Sequence, residues 1–318
     1  MIETGANLRQ HRGLRNTVAL GLVWVGWGGS YPALGIVANA FDPLEAAAIR
    51  FTVAGLISLA IVLITTGFPV LSRREWGSIF LVGAIVIAFG QGAIMASVLY
   101  VSPGIVALIF ACTPAIALIL EAFVKKSRLS RRSLLSILLG IFGVSWLLTS
   151  GSVRIEPLGV VLAFGAASSY ALGAVFVERS LRLVPSLAQS AIQMTIGGVL
   201  LALVFLVTRP EPLRVVEVGG WEVITAMAYL ILIGSVGGYF AYNWLLQNRS
   251  IQLASSFAYV NPVVALGLGV VFFSEPLALM QSLAVVPIIG SVILLLSRPT
   301  DLKTGPIDLS AGQGEASV

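Results

Sequence analysis

Apolar residues run through this chain in long blocks, interrupted by short polar or Pro/Gly-rich gaps. Cutting at the gaps gives ten segments, at 17–37, 44–66, 77–98, 104–124, 133–150, 158–178, 187–207, 222–246, 252–273 and 278–297. Each is near the ~20 residues that an α-helix needs to cross a bilayer. The pattern therefore predicts an all-α membrane protein with ten transmembrane helices. The polar stretch at 298–318 reads as a disordered cytoplasmic tail. The triplet Ala38-Asn39-Ala40 has the small-x-small form of a signal-peptidase site, but the apolar run before it is longer than a usual signal sequence. The run before it is therefore read as the first span and not as a cleaved leader.

Composition agrees with this class. Hydrophobic residues make up 58% of the 318 positions and charged residues 10%, against about 25% charged in soluble domains. The net charge of +5 is no sign of nucleic-acid binding, because the basic residues sit in the gaps between spans and form no basic domain. With the N-terminus in the cytoplasm, 15 of the 19 Lys and Arg residues fall on the cytoplasmic side. The positive-inside rule then places both termini in the cytoplasm.

The ten segments are two copies of a five-span unit. Pro114 and Pro262 lie 148 positions apart, each in a P-x-x-A-L pattern, and the same spacing relates Gly90 to Gly238 and Ser102 to Ser250. Earlier in the halves, "GSY" at 29–31 resembles "SSY" at 168–170, and "DPLEAAAIR" at 42–50 resembles "VPSLAQSAIQ" at 184–193. Five is odd, so the second copy must be inverted in the membrane. The boundaries are 1–150 for the first repeat with its tail, 151–297 for the second, and 298–318 for the C-terminal tail. Inverted repeats build alternating-access transporters with a site near the midplane.

Pro114 and Pro262 are expected near mid-span, where each would free the carbonyl four residues earlier and act as a hinge. Packing is the alternative. Trp24, Trp27 and Tyr31 follow i, i+3, i+7 spacing on one face of the first span. They read as a cavity wall or as ordinary packing residues, with Gly28, Gly29 and the hinge candidate Pro32 loosening the same segment. Arg50 lies well inside the second span, where a charge is by default a functional candidate. It could meet a carboxylate or phosphate, or instead snorkel outward or pair with Glu45. Gln91, Thr113, Tyr170, Gln193, Tyr239 and Asn261 complete the candidate substrate-binding set. Helix-to-helix hydrogen bonding is the alternative for each. Glu121–Lys125 and Glu178–Arg182 have the spacing of i,i+4 ion pairs.

These segments resemble the EamA-type family of the drug/metabolite transporter superfamily. The likeness rests on "WGGSY" at 27–31, "PLEAAAIRF" at 43–51, "ACTPAIAL" at 111–118 and "SFAYVNPVVALGLGVVFFSEPL" at 256–277. The resemblance implies a ten-helix basket with a central cavity lined by helices 1–4 and 6–9, helices 5 and 10 being peripheral. It implies export of amino acids, metabolites or toxic compounds. The family often carries Glu after both the fourth and the ninth spans; here Glu275 has Ser127 as its counterpart.

The expected function is an inner-membrane secondary transporter that exports small metabolites or amino acids by alternating access. A channel or facilitative pore is the alternative. One histidine, in the N-terminal tail, and one cysteine argue against an intramembrane enzyme, and no cofactor or metal is expected. The partners expected are a small-molecule substrate and the lipid bilayer, with no nucleic acid. A homo-oligomer is compatible with the sequence.

Overall fold

A computed structural model describes residues 14–38, 40–97, 99–101, 106, 109–126, 129–148, 156–208, 220–273 and 279–296. The C-terminal tail, Glu275, Ser102, Ser127 and the 38–40 triplet's Asn39 lie outside the described residues. Every regular element among those described is helical. We number the helices α1 (14–38), α2 (Pro43–Thr65), α3 (Arg73–Ser97), α4 (Thr113–Lys125) and α5 (Arg131–Leu148). The second half supplies α6 (Pro157–Ser180), α7 (Ser186–Thr208), α8 (Trp221–Asn248), α9 (Phe257–Phe273) and α10 (Leu279–Leu296). Five of them, α2, α3, α6, α7 and α8, are long and apolar enough to cross a membrane.

Local chemistry sets the helix ends. Asp42 caps α2 by accepting from the Leu44 N–H at 2.8 Å, and Pro43 occupies the first turn, where no N–H is needed. Ser72 and Glu75 form a reciprocal capping box at the start of α3. Lys126 ends α4 in the left-handed conformation, with φ of 50°.

Contacts between equivalent helices join the two halves of the chain. α2 packs most extensively on its own counterpart α7, and α5 on its counterpart α10. Three further contacts between the halves come in matched pairs: α3 with α7 and α8 with α2, α3 with α6 and α8 with α1, α4 with α6 and α9 with α1. At the α2–α7 crossing the contact is reciprocal. A Cβ on Gly55 would lie 2.5 Å from the backbone nitrogen of Thr195, and one on Gly198 would lie 2.4 Å from that of Thr52. The underlying sequences are "AIRFTVAG" at 48–55 and "AIQMTIGG" at 191–198, a spacing of 143 that makes Arg50 and Gln193 equivalent positions. Small residues let the two backbones touch where lipid supplies no hydrophobic drive between helices.

Three stretches are wound as π-helix: Leu22–Gly26 in α1, Gly83–Gln91 in α3 and Leu230–Gly237 in α8. The last two lie at corresponding places in the repeats. Such wide turns often mark functional sites because they leave backbone carbonyls free to bond elsewhere.

The prolines are not placed symmetrically. Pro262 lies inside α9. Pro114 instead occupies the first turn of α4, after a turn at Ala111 and Cys112. Its missing N–H therefore breaks no helical bond. The Phe110 carbonyl, four residues back, accepts from the Thr113 hydroxyl at 2.6 Å. Pro32 falls in the first turn of the helical stretch Ser30–Ala38, just after the chain turns at Gly29. One ion pair also differs from the sequence reading. Glu121 pairs with Lys125 at 2.8 Å, but Glu178 also pairs with Lys125, at 2.7 Å, rather than with Arg182. α6 ends at Ser180, so Arg182 is no longer on its helical face.

Candidate functional site

The π-helical stretch of α8 faces α1 and α2, and two side chains from the first repeat hold it. The Trp27 indole N–H donates to the Gly234 carbonyl at 2.6 Å. The Arg50 Nε–H donates to the Ser235 hydroxyl at 2.8 Å. Gly238 leaves space for the indole, since a Cβ there would lie 2.4 Å from Nε1. These bonds join the two halves of the chain.

Around Trp27 the interior is aromatic. Its ring lies 4.6 Å from Phe257, 5.3 Å from Tyr242 and 6.3 Å from Tyr170, and Tyr170 lies 5.2 Å from Phe110. Most of these are edge-on or tilted contacts, the arrangement that aromatic quadrupoles favour. Helices α1, α6, α8, the start of α9 and the segment just before α4 meet here.

Arg50 is 6% exposed. It neither snorkels to the surface nor forms an ion pair with Glu45; among the described residues no carboxylate forms an ion pair with it. Its guanidinium carbon lies 4.8 Å from the Phe51 ring centroid. It lines, with Gln91, Ala47, Met95 and Leu230, a cavity of about 10 Å³, room for about one water molecule. Gln91 donates to the Tyr170 hydroxyl and so links this cavity to the aromatic cluster. A buried cation without an anionic partner is costly. An anion arriving at this cavity would offset that cost, and Gln91 would help to orient it.

At the equivalent position in the second repeat, Gln193 begins a buried polar ladder between α7 and α8. Its Oε1 accepts from the Tyr239 hydroxyl at 2.9 Å and from Asn243 Nδ2 at 3.2 Å. Asn243 also donates to Ser190 at 2.8 Å and accepts from Gln189 at 3.0 Å. Gln247 continues the chain to Gln189, and to the carbonyls of Leu181 and Val184. Of the two polar centres, the first repeat thus carries a charge and a cavity, and the second a nearly self-satisfied amide network. Gln193 Nε2 and the Tyr242 hydroxyl are buried with no partner among the described residues.

The remaining sequence candidates are distributed as follows. Trp24 donates to Ser256 at 2.9 Å, and Asn261, with its amide nitrogen turned toward them, donates to the carbonyls of Trp24 and Phe257, both at 3.1 Å. These bonds tie α1 to α9 beside Pro262. Tyr31 lies on α1, and its side chain is outside the described residues. Thr113 is buried and spent on the Phe110 carbonyl. The sequence reading missed Ser235, Phe257 and the Gln189–Asn243–Gln247 ladder, and it counted Tyr242 as a mid-membrane polar group without placing it in the binding set. The ladder had a visible signal: Gln189 and Gln193 are spaced i, i+4, as are Tyr239, Asn243 and Gln247, so each set forms a polar stripe on one helix face.

Comparison with known proteins places this arrangement in context. The model of the EamA-like transporter family matches the chain twice, over residues 17–149 and 157–297. The chain is 31% identical to "Uncharacterized inner membrane transporter YedA" of Escherichia coli K12, over 87% of this chain and 89% of that one. It is 28% identical to "Uncharacterized transporter YyaM" of Bacillus subtilis (80% and 83%) and 26% identical to "Protein PecM" of Dickeya dadantii (85% and 88%). A crystal structure superposes with a TM-score of 0.72 at 19% identity, covering 88% of this chain and 94% of that one. That likeness concerns the fold alone.

Proposed function

The chain belongs to the EamA-like transporter family, and from that premise we propose that it is an inner-membrane secondary transporter exporting small anionic metabolites or amino acids by alternating access. Both termini face the cytoplasm in this reading, and the five-helix repeats are inverted in the membrane. The single observation that carries the substrate class is Arg50: a buried guanidinium, without an ion-pair partner among the described residues, on the wall of a cavity shared with Gln91. The aromatic cluster around Trp27 supplies the apolar wall for the rest of the solute.

In this conformation the cavity is too small for an amino acid. Transport requires that α8 move away from α1 and α2, which breaks the Trp27–Gly234 and Arg50–Ser235 bonds. A bound anion competes with Ser235 for the Arg50 donors, so binding itself loosens one of the two bonds. This couples site occupancy to separation of the repeats, the differential interaction that any ligand-driven change needs.

Export-dependent resistance tests the reading. Cells that express the protein are challenged with a panel of toxic amino-acid and carboxylic-acid analogues and with the amides of the same compounds. The proposal expects protection against the free acids and little against the amides. Protection restricted to cationic or uncharged compounds would contradict it.

A further inference from the structure

A second cavity lies away from the central site. It occupies about 450 Å³ between the start of α3, the end of α4 and the end of α6. Its walls are apolar, from Leu120, Val124, Leu172 and Phe176, and its polar mouth carries Arg74 and Arg179. We infer that this groove binds one anionic phospholipid, its phosphate between Arg74 and Arg179 and an acyl chain along the apolar wall.

The orientation of α6 separates this groove from the transport site. Tyr170 points into the central aromatic cluster. Leu172, Phe176 and Arg179 follow it by two, six and nine positions, which at 100° per residue places them about 200°, 240° and 180° around the helix. They occupy the opposite face, and Leu172 is 39% exposed. The groove therefore opens to the outside of the bundle, where lipid lies.

Charge complementarity selects an anionic headgroup. The described carboxylates at this end are engaged elsewhere: Glu75 by Ser72, Glu121 by Lys125 and Gln252, and Glu178 by Lys125. The second Glu178 oxygen is buried and meets no donor among the described residues. Arg74 and Arg179 themselves form no hydrogen bond or ion pair among the described residues. Both sit at the ends of helices long and apolar enough to cross a membrane, where such a helix meets the headgroup layer, and guanidinium forks match phosphate oxygens. Basic pockets between transmembrane helices are a recurrent site for anionic lipid headgroups.

Native mass spectrometry of the full chain, released from micelles doped with equal amounts of phosphatidylglycerol and phosphatidylcholine, tests the inference. The wild type should retain one phosphatidylglycerol in preference to phosphatidylcholine. The Arg74→Gln/Arg179→Gln double variant should lose about 30-fold in phosphatidylglycerol affinity, taking each arginine at its usual contribution near a membrane surface, while phosphatidylcholine retention stays the same. Arg74→Lys/Arg179→Lys keeps the charge and should keep part of the preference, which serves if the Gln variant does not fold. Arg131→Gln/Arg132→Gln removes as much charge from the same end and should leave the preference intact. An equal loss in that control would mean diffuse surface attraction and would overturn the site. Displacement of the lipid by excess inorganic phosphate would show a small-anion site and would overturn the lipid assignment.

Discussion

The reciprocal contact between α2 and α7 makes a quantitative prediction. Adding one methyl at Gly198 places a Cβ 2.4 Å from the Thr52 nitrogen and 2.8 Å from the Phe51 carbonyl carbon. Adding one at Gly55 places it 2.5 Å and 2.8 Å from the nitrogen and Cα of Thr195. Carbon atoms pack best about 3.5–4.0 Å apart, so the helices must separate by about 1 Å. The threonine hydroxyls also obstruct, Thr195 Oγ1 at 2.4 Å and Thr52 Oγ1 at 2.6 Å, but the backbone atoms clash as well, so trimming either side chain leaves the backbone contact unrelieved. Overpacking of this kind costs about 1–3 kcal/mol. We expect Gly55→Ala and Gly198→Ala each to lower unfolding free energy by that amount in an SDS titration from detergent micelles. The two sites face each other, so one separation of the helices relieves both clashes. The double variant should therefore lose less than the sum of the singles. Thr52→Ala should not rescue Gly198→Ala. If either single variant unfolds like the wild type, or if Thr52→Ala restores Gly198→Ala, the backbone contact is not what joins the repeats.

Three further outcomes follow from the same geometry. Asn243→Leu removes three buried hydrogen bonds; at about 0.6 kcal/mol each in a membrane protein, the same titration should register a loss of about 2 kcal/mol, and no loss would mean that the ladder is energetically idle. Pro262→Ala gives the Ala258 carbonyl an N–H partner within α9, whereas Pro114 begins a helix, so Pro262→Ala should slow transport at normal membrane levels and Pro114→Ala should change it little; equal effects would contradict the unequal placement. In a Cys112→Ser background, cysteines at Ser152 and Gly219 should label from outside intact cells and one at Ser130 should not; labelling at Ser130 would contradict the inverted arrangement.

Much of this architecture could be read from residue order, because a bilayer imposes a length on every apolar block and the two halves share spaced motifs. The proline pattern showed the repeat, yet not that Pro114 starts a helix. That difference depends on the preceding turn at Ala111 and Cys112, which no periodicity marks in an all-apolar segment. The π-helical stretches at Gly83–Gln91 and Leu230–Gly237 are hidden for the same reason: with apolar residues on every face, a wider turn leaves no trace in the pattern. Arg50 was conspicuous as a lone charge, but its partner Ser235 is 185 positions away and belongs to the other repeat. Trp27 likewise bonds a backbone carbonyl, which carries no side-chain signature. The Thr-x-x-Gly match at 52–55 and 195–198 was present in the sequence and extends the repeat just beyond Arg50, making it the counterpart of Gln193.

Arg50 carries the account's central claim, and its transport phenotype is the most direct measurement. The wild type, Arg50→Lys and Arg50→Ala are reconstituted at equal levels in proteoliposomes and loaded with a carboxylate solute to which the protein confers resistance. A hydrogen bond to a charged group contributes about 1.5–3 kcal/mol, so Arg50→Ala should reduce transport about 10- to 100-fold, Arg50→Lys should retain a measurable part, and the amide of the solute should be moved poorly by all three. Arg50→Ala transporting the carboxylate as fast as the wild type would contradict the claim that this guanidinium holds the solute's anionic group.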